Sequence, residues 1–343
     1  MKFEAVTIKD IAKALGLSTS TVSRALRDSY EISPETKRVV IEYAQKINYQ
    51  PNPIALSLKE RKSRSIGIIV CEIANSFFSQ VINGIESIAN ERGYNIIIAQ
   101  SKESAERELV DLQFLASRSV DGLIISVATE TNDFSFLKDL HQRGLPIVFF
   151  DRIVNEIETH KVISDNVKGS YEATKHLIEQ GYKNIALVTS TEGLFITTER
   201  KAGYEAALKD HGFEVRPEYI QHCQHSGMIK EEIEDAVNQL WKLKKKPDAI
   251  FAASDKLTTG VLRLLKAKKI KVPEQVGLIG YSNTDYSELI DPPLTVVKQP
   301  AFEIGEVAME LLLQMIESKR PITDFETRVL NTELVIREST KRK

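Results

Sequence analysis

Apolar and polar positions follow two different patterns along the chain, and the pattern changes near residue 64. Before residue 50, apolar side chains recur every three or four positions in three short segments, which predicts three amphipathic helices. The first begins at Thr7 and ends at Gly16, which suits a left-handed C′ position. The second spans Thr19 to about Leu26, and the third begins at the N-cap Ser33. The first helix has an apolar face made of Ile8, Ile11, Ala12 and Leu15.

From residue 65 onward, apolar strands rich in Ile and Val alternate with segments of helical period, and this order is typical of parallel sheets covered on both faces. The predicted strands are 66–70, 95–99, 122–127, 146–150, 185–189, 249–253 and 276–281. The predicted helices include 81–92, 103–117, 168–180, 198–211 and 256–269. These units exceed one sheet, so we predict an α/β fold with two doubly wound lobes. Such sheets bind ligands beyond the carboxyl ends of their strands, and a cleft between two lobes is a common ligand site.

The first two helices are joined by a tight turn, because only Leu17 separates Gly16 from the second N-cap candidate, Ser18. Two helices joined in this way form a helix-turn-helix, whose second helix places its N-terminal residues against base edges in the major groove. Residues 19–21 are small and polar, and Arg24 lies one turn later, where it can pair with guanine. The alternative is a polar helix start in which Ser18 and Thr21 act only as caps.

A short helix is predicted in the segment 51–62, where Asn52 is a good N-cap and Pro53 suits the first helical position. Only about one and a half turns follow, and so short a helix is marginal in isolation because nucleation is costly. One interpretation is a plain linker. The other is a segment that folds on DNA and inserts an apolar side chain into the minor groove.

Charge is distributed unevenly. Residues 1–64 contain twelve basic and seven acidic side chains, whereas the remaining residues contain 34 basic and 41 acidic side chains. A basic head on an acidic body is typical of a tethered nucleic-acid-binding module. The lysine-rich stretch 242–246 and the last three residues are interpreted as solvated surface.

Length and composition narrow the class of protein. At about 150 residues per domain, 343 residues predict two or three domains, and 42% apolar residues exclude a wholly disordered chain. The sequence lacks a run near the roughly 18 apolar residues that span a bilayer, and it shows no secretory signal, so we expect neither a membrane span nor export. Two cysteines, Cys71 and Cys223, fit unpaired thiols in a reducing cytoplasm.

An enzyme and a secreted solute-binding protein are the rival classes. The stretch His222, Cys223 and His225 offers potential metal ligands, but an extended segment points alternate residues to opposite faces and no second cluster stands nearby. The sequence contains no Walker loop, Gly-x-Ser-x-Gly elbow or His-Glu-x-x-His motif. We therefore predict a non-enzyme with no metal site and no cofactor. The basic head argues against a solute-binding protein.

The head resembles the DNA-binding domain of the LacI/GalR family over nearly sixty positions, including 6–12, 16–18, 21–26, 48–52 and 55–58. By this resemblance Thr19 and Ser20 set operator choice, Arg24 reads a base, and Ala55 and Leu58 enter the minor groove. Leu56 departs from the family, in which many members carry a polar or basic side chain. The resemblance implies ten DNA-binding residues: Thr7, Ser18, Thr19, Ser20, Thr21, Ser23, Arg24, Asn52, Ala55 and Leu58.

The body is similar to the effector-binding core of the same family, which is related to periplasmic sugar-binding proteins of type I. Its marks include 75–78, 121–124, 150–152, 199–204, 254–255 and 293–296. The resemblance implies a helix-turn-helix domain at 1–50, a hinge helix and linker at 51–62, and an effector-binding and dimerisation core at 63–343. With lobe crossings near 162, 290 and 325, the first lobe is predicted at 63–161 plus 291–324. The second lobe is predicted at 162–290 plus 325–343.

The cleft residues have alternative explanations. Of the adjacent aromatics Phe77 and Phe78, one usually lies in the core, although by resemblance both line the cleft. Asp151 follows a strand, where it can accept ligand hydroxyls or pair with its neighbour Arg152. Arg200 opens a helix, which is an unfavourable place for a cation and suggests a task other than helix stability. The resemblance implies eight effector-binding residues: Phe77, Phe78, Ser126, Asp151, Arg200, His225, Asp255 and Ser282.

Ser282 is the main departure in the body, because most family members carry an aspartate there that binds an effector hydroxyl or amine. A neutral residue fits a ligand with fewer donors, or one whose negative charge an aspartate would repel. A sugar phosphate or sugar acid is the hypothesis, and a neutral oligosaccharide is the alternative.

Together these features predict a cytoplasmic transcriptional regulator, most simply a repressor. It binds a palindromic DNA operator as a homodimer, because a two-fold protein requires a two-fold site. A small molecule in the inter-lobe cleft, a sugar or sugar derivative, switches its operator affinity. The chain ends without a leucine heptad, which favours a dimer over a coiled-coil tetramer.

Overall fold

The computed structural model describes residues 6–49, 62–320 and 322–342. It divides into two compact units, residues 1–64 and 65–343. The predicted hinge helix, with Asn52, Ala55 and Leu58, falls outside the described ranges.

The first unit contains the predicted helix-turn-helix. Its helices are α1 (Ile8–Leu15), α2 (Thr19–Ala25) and α3 (Pro34–Lys46). Gly16 follows α1 in the left-handed conformation, with a φ of 65°. Thr7 caps α1 through a capping box with Asp10, and Ser18 and Ser33 cap the next two helices. The three helices bury one small core: Ile11, Ala12, Val22, Ala25, Val40 and Ala44.

The second unit contains two six-stranded sheets, which confirms the two predicted lobes. The first lobe consists of β1 (Ser65–Val70), α4 (Ser76–Glu91), β2 (Asn95–Gln100), α5 (Ala105–Ser117), β3 (Gly122–Ile125), α6 (Ser135–Gln142), β4 (Ile147–Phe150), β5 (Lys161–Ser164), α11 (Ala301–Glu317) and β11 (Thr327–Leu330). Its sheet is parallel throughout, in the order β11-β5-β4-β3-β1-β2.

The second lobe has the same layered arrangement. It consists of α7 (Asn166–Glu179), β6 (Ile185–Ser190), α8 (Phe195–Asp210), β7 (Ile220–Cys223), α9 (Lys230–Lys242), β8 (Ala249–Ala252), α10 (Asp255–Ala267), β9 (Gly277–Tyr281), β10 (Thr295–Lys298) and β12 (Glu333–Val335). The strand order is β12-β10-β9-β8-β6-β7, and only the β12–β10 pair is antiparallel among the described strands. Apolar side chains fill both faces of each sheet, giving two core layers in each lobe.

All three lobe crossings lie later in the chain than predicted. β5 pairs with β4, so the chain leaves the first sheet after Ser164 and not at 162. β10 belongs to the second sheet, so the return follows Lys298 and not 290. β11 pairs with β5, so the last crossing follows Leu330 and not 325. These strands have four residues each and no long apolar run, which is why the sequence pattern did not reveal them.

Helices α4 and α11 pack in backbone contact on one face of the first sheet. A Cβ added at Gly84 would lie 2.0 Å from the carbonyl oxygen of Phe302, and one at Gly305 would lie 2.1 Å from that of Val81. The two glycines therefore allow the helices to approach more closely than any side chain would permit. Among the described residues, the structure contains no helix that combines the length and the apolar character of a membrane span.

Candidate functional site

A small cavity lies between the two lobes, at the carboxyl ends of their strands. Cys71 follows β1, Glu103 follows β2 and Arg152 follows β4 on one side. Ser190 ends β6 and Ala253 follows β8 on the other. The full lining is Cys71, Glu72, Asn75, Phe78, Glu103, Arg152, Thr189, Ser190, Ile196, Thr197, Arg200, Ser226, Met228, Ala253, Ser254 and Lys256. Both lobes thus contribute residues to one site, at the place where two-lobed proteins commonly bind ligands.

Three helices point their N-termini at this cavity. Asn75 caps α4 by accepting a hydrogen bond from the backbone N–H of Phe77, and Ser254 caps α10. Ile196 and Thr197 belong to the first turn of α8. Helix N-termini present unpaired N–H groups and a positive dipole end, so this arrangement favours ligands with acceptor or anionic groups.

Arg152 is held against the cavity wall by Glu103. Its Nη1 and Nη2 donate to the two carboxylate oxygens of Glu103 at 2.5 and 2.9 Å, and both side chains are buried. Nη1 also lies 3.1 Å from the Sγ of Cys71 and 3.1 Å from the Oγ1 of Thr129. Burial opposes the ionisation of Glu103, but the charge and hydrogen bonds of Arg152 outweigh it and lower the pKa of this carboxyl.

The backbone around this pair adopts an uncommon conformation. Lys102, Glu103 and Asp151 have φ values of 53°, 66° and 56°, in the left-handed region that non-glycine residues rarely occupy. Two of these three side chains, Glu103 and Asp151, carry buried carboxylates beside Arg152. Backbone strain of this kind concentrates at functional sites, where the surrounding structure maintains it.

Arg200 enters the cavity from the second lobe. Its Nε donates to the Oδ1 of Asn166 at 2.8 Å, and its Nη1 donates to the carbonyl oxygen of Ala253 at 2.6 Å. The guanidinium lies 3.8 Å from the ring centroid of Tyr281, which stacks under it. Its Nη2 faces the Oδ1 of Asp151 at 3.9 Å, across the boundary between the lobes. These contacts fix the plane of the guanidinium.

Polar contacts join the two lobes around the cavity. Glu72, from the first lobe, pairs with Lys256 at 2.8 Å, and the Oγ atoms of Thr129 and Ser226 lie 3.0 Å apart. Further contacts link Gln80 with Asn283 and Glu130 with His225. Because these pairs connect different lobes, the relative position of the lobes decides whether they form.

The N-terminus of α2 presents polar side chains on the surface of the first unit. Ser18 accepts a hydrogen bond from the backbone N–H of Thr21, and its Oγ lies 2.7 Å from that of Ser20. Thr19, Ser20 and Arg24 are exposed, and Nη1 of Arg24 pairs with Glu31 at 2.7 Å. An exposed helix N-terminus with small polar residues and an arginine has the chemistry required to read base edges.

Comparison with known proteins identifies both units. Residues 7–52 match the family described as "Bacterial regulatory proteins, lacI family", and residues 174–340 match a periplasmic binding protein-like domain. The HTH-type transcriptional repressor CytR of Escherichia coli (strain K12) is 34% identical over 98% of this chain and 97% of its own length. The chain belongs to the lacI family. It is therefore a DNA-binding transcriptional repressor whose activity responds to a ligand.

Solved structures show the same architecture. A transcriptional regulator CelR–cellobiose complex is 28% identical, covering 97% of this chain and 99% of that one, with a TM-score of 0.70. The lac repressor dimer bound to operator and an anti-inducer is 24% identical, covering 98% and 99%, with a TM-score of 0.82. The latter similarity concerns the fold. These matches confirm the fold class over nearly the whole chain, and the curated relatives are transcriptional regulators.

Two of the eight predicted effector residues, Phe78 and Arg200, line the cavity. Asp151 lies behind Arg200, with its carboxylate also 4.0 Å from Nε of Arg152 and 3.5 Å from Nε2 of Gln299. Phe77 is buried in the core of the first lobe, edge-to-face with Phe78 at 5.2 Å. Phe78 is equally buried in this core, and of the two rings only Phe78 also lines the cavity, whereas the resemblance implies that both do.

The other predicted effector residues surround the cavity without lining it. The hydroxyl of Ser282 donates a short hydrogen bond to Asp255, whose pKa is raised by burial and lowered in part by this bond. Ser126 is fully buried, and its carbonyl oxygen lies near the Sγ of Cys71. His225 lies at the junction of the lobes, where its Nδ1 is 2.6 Å from Glu232. Their direct contact with an effector stays a prediction.

Sequence reasoning missed Glu103, Arg152 and Lys256 as lining residues. The sequence suggests Asp151 as the partner of Arg152, whereas its two shortest hydrogen bonds go to Glu103, 49 residues away. The segments 102–103 and 151–152 contain no local motif that indicates this pairing. Their position directly after β2 and β4 was the available signal, because strand carboxyl ends form ligand sites in such sheets.

The His222–His225 stretch does not form a cluster. The Nδ1 of His222 lies 2.8 Å from the carbonyl oxygen of Ser190, Cys223 is buried in the core, and His225 faces Glu232. Within the described ranges, no three His, Cys, Asp or Glu side chains are arranged to hold a metal ion.

Proposed function

We propose that this protein represses transcription by binding a two-fold symmetric operator as a homodimer. A small molecule, a sugar or sugar derivative, occupies the inter-lobe cavity and switches operator affinity. We place the protein in the cytoplasm, where operator DNA is found. Support comes from the cellobiose bound by the CelR relative and from the operator-bound dimer of the lac repressor.

The observation that carries the proposal is the cavity between the lobes, with contacts from both lobes around it. Glu72–Lys256 and Thr129–Ser226 form only when the lobes are close. A ligand that touches Arg152 on one lobe and Arg200 on the other binds the closed arrangement better than the open one. Differential affinity of this kind is what allows a ligand to shift a conformational equilibrium.

Operator reading is assigned to α2. We infer that Thr19, Ser20 and Arg24 contact bases, and that Thr7, Ser18, Thr21 and Ser23 position the helix on the phosphates. Asn52, Ala55 and Leu58 are proposed as hinge contacts in the minor groove on the basis of the sequence resemblance. Lobe closure in each subunit changes the separation of the two hinges and so changes DNA affinity. Switches of this type supply a coupling of about 5- to 150-fold.

The experiment is selection of bound DNA from a random-sequence pool by the full-length chain, followed by sequencing. We expect enriched sequences with two-fold symmetry and half-sites spaced by about one helical turn. Selection with the Ser20→Asn variant should change bases within each half-site while preserving the symmetry. The exposed substitution Lys13→Gln serves as a control that should leave the selected sequence unchanged. Asymmetric or unenriched pools would contradict the proposal.

A further inference from the structure

Two lysine-rich segments of the second lobe converge at the amino end of its sheet. β8 and β9 are paired neighbours, with Ala249 opposite Gly277, so the segments that lead into these strands meet there. Helices α9 and α10 share one apolar core on the same side of the sheet and end in these segments. The fold therefore brings eight lysines together in what we call the lysine face: Lys242, Lys244, Lys245, Lys246, Lys266, Lys268, Lys269 and Lys271.

All eight of these lysines are exposed. Within the described ranges, the lysines that form ion pairs are residues 37, 102, 175, 201, 209, 230, 256 and 341, and none of these belongs to the lysine face. Helix dipoles explain only part of the cluster, because Lys242 and Lys266 lie in last turns and Lys268 is a C-cap. The other five lie beyond the helix ends. Their charges repel one another and attract a polyanion.

Few carboxylates lie near the lysine face in the chain. The segments 242–248 and 263–276 contain nine basic residues and only two acidic ones, Asp248 and Glu274. Asp248 accepts hydrogen bonds from two backbone N–H groups and pairs with Arg342 at 3.3 Å, so it is already engaged. The rest of the body contains 25 basic and 39 acidic side chains. The lysine face is therefore a positive region on a body that is otherwise negative.

The chemistry of this surface fits a phosphate backbone. The centres of protein interfaces are depleted of lysine and rich in aromatic residues, and a membrane-surface helix needs an exposed apolar face. Within the described ranges, none of the exposed large apolar side chains lies in 242–276, and Trp241, Leu243 and Ile270 pack against the core. A lysine is a flexible point charge that contacts phosphate oxygens without reading bases. The polyanion that a DNA-binding repressor meets is DNA.

The lysine face is far from the point where the head joins the body. The chain enters the body at Ser65, the first residue of β1, at the amino end of the first sheet. The carboxyl ends of both sheets meet at the cavity, so their amino ends point away from each other. DNA bound at the lysine face is therefore a different segment from DNA bound where the chain enters the body.

We propose that the lysine face binds the phosphate backbone of a second DNA duplex, without sequence preference, while α2 holds the operator. This goes beyond the proposed function, which assigns DNA contacts to the head and the hinge alone. A repressor with both contacts bridges its operator to another stretch of DNA.

The test asks whether the full-length chain captures a second duplex while it holds an operator. A selected operator duplex is immobilised in excess over the protein, so that every head is occupied. A labelled duplex of about 30 base pairs and unrelated sequence is then added at about 50 mM salt, where phosphate contacts are strong. We expect capture with a micromolar dissociation constant. Four phosphate contacts predict a loss of affinity of about 100-fold between about 50 and 200 mM salt.

Two variants with the same loss of charge separate the lysine face from general electrostatics. The face variant replaces two lysines of each segment with Gln: Lys244, Lys245, Lys269 and Lys271. The control variant replaces four exposed lysines elsewhere on the body with Gln: Lys168, Lys209, Lys298 and Lys319. We expect the face variant to bind the second duplex at least tenfold more weakly, and the control variant less than threefold. Operator affinity and melting temperature should match the wild type in both.

Three outcomes would overturn the inference. The first is no capture of the unrelated duplex at about 50 mM salt. The second is equal weakening in the face and control variants, which would show a general effect of net charge. The third is tighter binding of polyglutamate than of duplex DNA at equal charge concentration, which would assign the lysine face to an acidic protein.

Discussion

Glu103 and Arg152 meet inside the first lobe through two parallel hydrogen bonds of 2.5 and 2.9 Å, although 49 residues separate them in the chain. The pair joins the loop after β2 to the loop after β4, and both side chains are less than a tenth exposed. It therefore fixes the geometry of the cavity wall and balances a buried charge.

Replacing Glu103 with Ala should destabilise the body severely. The variant leaves the guanidinium of Arg152 buried without its partner, which typically costs about 3–5 kcal/mol. Thermal unfolding of the full-length chain measures the loss as a fall of roughly 10 °C in melting temperature. The exposed pair Arg143–Asp139, at 3.1 Å, provides the control, because Arg143→Ala should cost less than about 1 kcal/mol. Equal losses of stability in Glu103→Ala and Arg143→Ala would contradict the structural role of the Glu103–Arg152 pair.

Because α4 and α11 are in backbone contact, a single methyl group added at Gly84 should strongly destabilise the fold. Gly84→Ala places a Cβ against the carbonyl oxygen of Phe302, and backbone cannot move aside as a side chain can. We expect a loss of about 3 kcal/mol in the free energy of unfolding. Asn83→Ala, exposed on the same helix, should change it by no more than about 0.5 kcal/mol. A stable Gly84→Ala variant would show that the helices are farther apart than described.

The buried carboxyl of Glu108 should make the stability of the folded protein depend on pH. Burial raises its pKa to about 7, and its carboxylate accepts from the backbone N–H of Ala128 at 2.5 Å. Because the folded state holds this proton more tightly than the unfolded state, the contribution of Glu108 to stability falls as pH rises from about 4.5 to about 7. The predicted loss is roughly 3 kcal/mol over this range, with no further change above it.

The measurement for Glu108 is denaturant unfolding between pH 4.5 and 8. Glu108→Gln should flatten the decline relative to the wild type, whereas Glu106→Gln, exposed on the same helix, should not. Parallel pH profiles for the wild type and Glu108→Gln would exclude this carboxyl as the source.

Without DNA, the guanidinium of Arg24 is paired with Glu31. Glu31 therefore competes with the operator for this guanidinium. Glu31→Gln should release Arg24 and strengthen specific binding about two- to fivefold, the strength of a surface ion pair. Arg24→Ala should weaken specific binding by about 5- to 150-fold and nonspecific binding much less. Glu35→Gln removes the same charge from α3 and controls for general electrostatics. Equal gains in Glu31→Gln and Glu35→Gln would rule out the competition.

Much of the fold was predictable from local pattern. The first two helices and their tight turn follow from Gly16, Ser18 and the spacing of apolar positions. Long apolar strands such as β1 and β6 were found for the same reason. The strand β5 and the edge strands β11 and β12 escaped prediction because three or four residues carry too little periodicity, and their pairing depends on partners far along the chain. For the same reason, the predicted lobe crossings lie earlier in the chain than the observed ones.

The site was predictable where the family resemblance names single residues, because Phe78 and Arg200 both line the cavity. It was not predictable where function depends on a long-range pair. Nothing near Arg152 indicates that its guanidinium turns to Glu103, because that choice depends on how the loops after β2 and β4 meet. Which of the two buried rings, Phe77 or Phe78, reaches the cavity likewise depends on how α4 is rotated against α11.

Occupation of the inter-lobe cavity is expected to change DNA affinity. The most direct measurement is fluorescence anisotropy of a selected operator with the full-length chain, titrated with the cavity ligand. We predict a change in dissociation constant of about 5- to 150-fold for the wild type and for Lys209→Ala, an exposed control on α8. Arg200→Ala should require at least tenfold more ligand for the same change. The account would be contradicted if the ligand binds without changing DNA affinity, or if Arg200→Ala responds at the same concentration as the wild type.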